Sequence, residues 1–213
     1  MNLQNLKNAL VTGTKVTKMM MAILIISIVT ISCGKDDPVN NGNNNNQFQY
    51  DRFNIKAATI VYSNEDDNGE FKIVFDDYGK KFRHEMSDQI VISDEDAKKY
   101  YVLIPAEKKY LEYSSEAGAS NRYLFLYYGD DVGSAWSYYP GFIKQSNRTI
   151  AGKNCSVCKW GADGETFEWG GWSRITFLHS VVSGSDVSKF EAKSIVESAP
   201  ANSFTIPDDY TKY

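Results

Sequence analysis

The sequence predicts a mainly antiparallel β domain with minor helix, and three observations support this. Apolar residues alternate with period two over most of the chain beyond residue 52. Turn-forming residues punctuate that pattern roughly every ten residues, the spacing of short strands in a meander. No segment repeats itself at the longer periods of solenoid proteins.

The elements follow in order. Phe53, Ile55, Ala57, Thr59 and Val61 alternate with Asn54, Lys56 and Ala58, which predicts a half-buried strand with the first set on one face. Phe71, Ile73 and Phe75 against Lys72 and Asp76 predict the next, with Asn68-Gly69 between them as a hairpin turn because both residues tolerate positive φ. Asp77-Tyr78-Gly79 turns the chain again into Phe82, His84 and Met86. Two Tyr-rich strands, Tyr100 to Ile104 and Tyr110 to Tyr113, flank Pro105-Ala106-Glu107-Lys108, where proline forfeits no ladder hydrogen bond. Between Asn121 and Tyr139 the spacing of Tyr123, Leu124, Leu126 and Tyr127 predicts a short helix. Beyond Pro140-Gly141 the β pattern returns at Thr149-Ile150, Cys155 to Trp160, Thr166 to Trp169, Arg174 to Val182 and Phe190 to Val196. Turns are expected at Gly161 to Gly164 and a bend at Gly170-Gly171. Such strands close into a curved, barrel-like sheet or stack as a β-sandwich.

The N-terminus follows different rules. Residues 1–32 carry Lys7, Lys15 and Lys18 and no acid, and Met19 to Ile31 form a 13-residue, mostly apolar run. A spanning helix needs about 20 such residues, so the segment reads as an export signal. It ends in Thr30-Ile31-Ser32-Cys33, which resembles the lipobox of bacterial lipoproteins. That resemblance implies cleavage before Cys33 and lipidation of its sulfur and new amino group, and with it the lipoprotein export machinery as a partner. Lys35-Asp36-Asp37 resembles the surface-export signal of Bacteroidetes-type lipoproteins, which implies the outer membrane and its outer surface. Residues 33–51, rich in Asn, form the lipidated cysteine and a flexible tether. Its 17 residues from 34 to 50 span roughly 20–25 Å as a random coil. Residues 52–213 remain as one β domain.

Charge and motifs narrow the chemistry. Without its leader the chain holds 20 basic and 27 acidic residues, a net charge of −7, and no basic cluster, which excludes nucleic acid as a partner. Cys155-Ser-Val-Cys158 has the spacing of a redox pair, but no helix follows it to lower a thiol pKa. In one regular strand these residues point to opposite faces about 10 Å apart, too far for a disulfide. They are expected to be structural thiols. Zinc would require His84 and His179 as further ligands, and both read as packing residues; no metal or cofactor is expected. There is no Gly-x-Ser-x-Gly elbow. Asn64-x-Asp66-x-Asn68-Gly69 opens like a calcium loop but has Phe75 where a bidentate Glu is needed. Nothing in the sequence points to an enzyme.

Four segments together resemble LolA/LolB-like lipoprotein-type domains: FDDYGKKFRHE at 75–85, YYVLIPAEKKYLEY at 100–113, TIAGKNCSVCKW with FEWGGW within 149–172, and SFTIPDDYTKY at the C-terminus. The resemblance covers residues 53–213 and implies a curved half-barrel with an apolar concave face that holds acyl chains in the characterised carriers. It departs from the family over 114–148, where a long helical lid would be expected. The residues expected to face a hydrophobic small molecule are Phe71, Ile73, Phe75, Phe82, Met86 and Leu103. An alternative is a surface module that contacts glycan or another envelope protein through exposed aromatics, with Trp160, Trp169 and Trp172 as candidates.

Overall fold

The computed structural model describes residues 52–65, 69–114, 122, 124–127, 143–162 and 164–213. Contacts divide the chain into two units, Met1–Phe48 and Gln49–Tyr213, and all described residues belong to the second. Cys33 lies outside the described residues, as does most of the expected helix over 121–139.

Twelve strands form one sheet: β1 (Ala58–Asn64), β2 (Gly69–Asp76), β3 (Lys81–Glu85), β4 (Ile90–Asp94), β5 (Lys99–Ile104), β6 (Lys109–Ser114), β7 (Ile143–Ile150), β8 (Lys153–Ala162), β9 (Glu165–Trp172), β10 (Ile175–Ser183), β11 (Asp186–Val196) and β12 (Thr211–Lys212). Their order across the sheet is β12-β6-β5-β4-β3-β2-β1-β11-β10-β9-β8-β7. Every pairing is antiparallel except β12 with β6. The fold is therefore a mainly antiparallel, open and curved sheet, as expected, and the sandwich alternative falls away because all described strands share one hydrogen-bonded ladder. The curvature has a local witness: Lys153, at the start of β8, forms an ion pair with Glu197 just past β11, although β9 and β10 lie between those strands.

The main core lies on the face that carries Ala58, Ile60 and Tyr62 of β1, all fully buried. Register continues this face through Phe71, Ile73 and Phe75 of β2 and Phe82 and His84 of β3. On the other side it continues through Phe190 and Ala192 of β11, His179 of β10 and Trp169 of β9. This corrects the reading of β1. The expected buried set was one residue out of step, and Phe53 precedes the strand. A one-residue slip reverses every side chain, and Ala57-Ala58-Thr59-Ile60-Val61-Tyr62 is apolar enough on both faces to hide the alternation.

Residues 125–127 cover part of this face. Leu126 bridges to Ile175, Tyr127 N–H donates to Arg174 O at 2.9 Å, and Thr176 N–H donates to Phe125 O at 2.7 Å. Gly170-Gly171, expected as a bend, lies inside β9 instead. The actual β9–β10 turn is Ser173-Arg174, with φ of 50° and 61°. Both residues adopt the left-handed region that Asn-Gly would normally supply.

The opposite face of β2 to β5 is also buried, through Val74, Ile92 and Leu103. The C-terminal segment lies against it, with Arg83 Nη1 donating to Ser203 O at 3.1 Å. That segment ends in β12, where Thr211 and Tyr213 donate backbone hydrogen bonds to Lys108 and Tyr110 at 3.0 Å. No helix among the described residues is long and apolar enough to cross a membrane.

Candidate binding surfaces

The proposed apolar ligand face is assembled only in part. Ile73, Phe75 and Phe82 lie together with no exposed surface, and Phe71 is half-buried beside them. Leu103 does not join them. The registers Lys72↔Glu85, Glu85↔Ile90 and Ile90↔Leu103 place Leu103 on the opposite face, with Val74 and Ile92. Met86 lies beyond the end of β3, in a turn where its N–H donates to Gln89 O at 2.9 Å.

Phe125, buried and at the start of the covering segment, was not anticipated as part of this face. Its ring centroid lies 5.1–5.9 Å from those of Tyr62, Phe71, Phe82, His84 and Phe190. These are ordinary distances for packed aromatic rings. Period alone could not identify it, because Tyr123-Leu124-Phe125-Leu126-Tyr127 is apolar throughout. Phe53 adds a second cover, 4.3 Å from Phe75 and 6.4 Å from Phe82.

Both histidines lie within this ring system. His84 is buried edge-on to Phe71 and Phe125, and burial lowers its pKa to about 4. His179 is partly exposed as a residue, but its ring stacks on Phe190 at 5.4 Å and its Nδ1 is buried. Burial lowers its pKa to about 4 as well. Each is neutral at pH 7, and the Nδ1 of each has no hydrogen-bond partner among the described residues. The Tyr62 hydroxyl donates to Thr176 O at 2.8 Å, and burial raises its pKa well above the usual value.

One buried charge is matched. Arg122, 5% exposed, pairs with Glu95 through Nη1 and also donates to Gly79 O at 3.0 Å. Arg52 takes the other oxygen of the same carboxylate at 2.8 Å. A single acid thus joins the start of the domain to the covering segment.

The three tryptophans separate into two groups. Trp160 stacks on Phe167 at 5.1 Å with 5° between ring planes and lies 6.0 Å from Trp169. Trp169 donates from Nε1 to Thr176 Oγ1 at 2.9 Å and meets Tyr127 edge-on. Trp172 is elsewhere, edge-on to Phe177 and beneath the Lys153 ammonium at 4.2 Å. Trp169 and Trp172 are three positions apart in β9, so strand alternation directs them to opposite faces. All three are half-buried.

Cys155 and Cys158 are both buried thiols. Cys158 lies opposite Trp169, with its Sγ 3.5 Å from Trp169 O. No group of three potential metal ligands occurs among the described residues.

Two depressions on the described surface do not reach the Phe125 ring cluster. One, of about 370 Å³, lies between Val74, Arg83 and Glu85 and the C-terminal residues Pro200, Ser203 and Pro207. The other, of about 450 Å³, is bordered by Asn54, Lys56, Asp76, Tyr78, Glu197 and Ser198.

No family model and no curated protein matches the chain. Among solved structures, the crystal structure of MucB in complex with MucA(peri) is similar over 75% of this chain, at 10% sequence identity and a TM-score of 0.43. The alignment spans 57% of that protein, so this chain covers little more than half of its length.

Proposed function

We propose that this chain is a cell-envelope lipoprotein, anchored to the outer membrane through Cys33, whose β domain binds a partner and catalyses no reaction. The anchor rests on the short apolar leader and Thr30-Ile31-Ser32-Cys33. Two or more acyl chains on that cysteine suffice for stable attachment. The mode of binding rests on one observation: Phe125 and Phe53 pack over the face that carries Ile73, Phe75 and Phe82, which have no accessible surface. A partner therefore meets a part of the sheet that Phe125 does not cover. The Trp160–Phe167–Trp169 row is the aromatic surface best suited to another envelope protein, since aromatics carry much of the energy at such contacts.

A second reading keeps the concave face as a hydrophobic ligand site, entered when Phe125 swings out. What favours it is chemistry. The rings around Phe125 are aromatic, and neutral His84 would lose no hydrogen bond through Nδ1 when that ring left.

Palmitate labelling of cells carrying the full chain tests the anchor. Wild type should be labelled and Cys33→Ser should not; equal labelling removes the lipoprotein assignment. A photo-crosslinking residue in place of Phe167 distinguishes the two modes of binding. It should capture one defined envelope protein that a crosslinker at exposed Val187 does not, and denaturing extraction should release no lipid beyond the anchor. A stoichiometric extracted lipid, with capture equal at both positions, would favour the second reading.

A further inference from the structure

The depression of about 450 Å³ beside Tyr78 has a local chemistry that the fold itself does not need. Tyr78 sits between β2 and β3 at φ 59°, flanked by Asp77 at φ 47° and Gly79 at φ 98°. Three consecutive left-handed residues make a tight reversal, and its backbone is anchored on both sides. Tyr78 N–H donates to Lys56 O at 2.8 Å, and Phe53 N–H donates to Tyr78 O at 3.2 Å. Neither bond needs a side chain at position 78, and Asn or Gly adopts this conformation more cheaply. Large aromatics are normally accepted at such a cost when their rings fill a core. Here the side chain does not: Tyr78 is 43% exposed, and its ring and hydroxyl have no partner among the described residues.

The surroundings suit a polyhydroxylated ligand. Asn54, Lys56 and Ser198 border the same depression, and their side chains make no hydrogen bond among the described residues. Asp76 spends Oδ1 on Asp77 N–H at 2.7 Å, which fixes the carboxylate and leaves Oδ2 for a ligand. An amide, an ammonium, a hydroxyl and an oriented carboxylate thus border one exposed phenol ring. The remaining lining includes the small or aliphatic Ile55, Ala57 and Ala199. The volume lies within the roughly 300–1,000 Å³ of small-ligand sites. An acyl chain would leave these polar groups desolvated and unpaired. A pyranose presents a C–H face to the ring and hydroxyls to the polar groups around it.

We propose that this groove is a saccharide-binding subsite, with the apolar face of a neutral pyranose seated on Tyr78 and its hydroxyls bonded to Asn54, Asp76 and Ser198. The site is independent of the partner-binding reading, because none of the Trp160, Phe167 and Trp169 side chains lines it.

The test uses full-length protein in detergent, titrated by calorimetry with cellohexaose, maltohexaose and chitohexaose. At least one should bind saturably, and Tyr78→Asn should weaken that binding at least tenfold while the protein melts at the same or a higher temperature. Tyr78→Phe should keep most of the affinity. Saturable binding that Tyr78→Asn leaves unchanged overturns the proposal, as does the absence of binding by wild type to all three sugars. So does a Tyr78→Asn protein that melts markedly lower, because the ring would then be structural.

Discussion

Gly171 is glycine because a ring occupies the space its side chain would need. A Cβ built there would lie 2.2 Å from Cγ of Tyr127, whose phenol oxygen accepts a hydrogen bond from Ser156 Oγ at 2.9 Å. The neighbouring Gly170 would meet Leu178 and Val157 at 3.3 Å, a contact that small shifts relieve. The two glycines look alike in sequence, and only the structure separates them. Gly171→Ala should push Tyr127 off the sheet and lower stability by about 2–3 kcal/mol. Gly152→Ala has open space around its Cβ but a φ of 76°, and should cost about 1–2 kcal/mol of backbone strain. Urea midpoints of the two variants would rank them, and the reverse order would mean that Tyr127 yields easily.

At the scale of elements, the C-terminus determines how one side of the sheet ends. The β6 edge is closed by β12, reinforced by Lys212 on Glu112 and by the Lys109 ammonium 4.4 Å over the Tyr213 ring. Hydrogen bonds from Lys212 and then Lys99 hold the Glu112 carboxyl below its usual range. These ion pairs are exposed and contribute little stability; what β12 chiefly does is occupy backbone groups that would otherwise pair with another chain. Deleting residues 211–213 should therefore leave the melting temperature nearly unchanged but raise self-association, measured by sedimentation velocity. A monomeric, equally stable deletion would refute this role. Most strands behind this arrangement were legible, because β2, β3, β5 and β6 alternate or sit beside clear turn residues. β4 was not expected, and two kinds of feature were not legible. Where both faces are apolar, as in β1 and in the stretch holding Phe125, period carries no register. Where turns use Ala151-Gly152 or Ser173-Arg174, left-handed backbone is imposed by the surrounding sheet and leaves little mark on composition. The candidate site suffered for the same reason. Leu103 was grouped with Phe71 by hydrophobicity, whereas pairing across four strands decides its face.

For the whole molecule, the two histidines contribute to the response to acid between pH 6.5 and 4. Each is neutral in the native state with a pKa near 4, against about 6.5 in the unfolded chain. As pH falls below 6.5 the unfolded chain takes up protons that the folded one refuses, so stability present above that pH is lost progressively down to about 4. His84, the fully buried one, accounts for up to about 3 kcal/mol of this loss; His179, partly exposed, adds less in the same direction. Urea midpoints at pH 7 and 4.5 should draw together in His84→Leu relative to wild type, and an unchanged difference would place the acid sensitivity elsewhere.

Glu95 grips Arg52 and Arg122 with one carboxylate, and that arrangement has a mechanical consequence. Removing that one carboxylate would therefore release the residue that precedes β1 and a buried arginine close to Phe125 together.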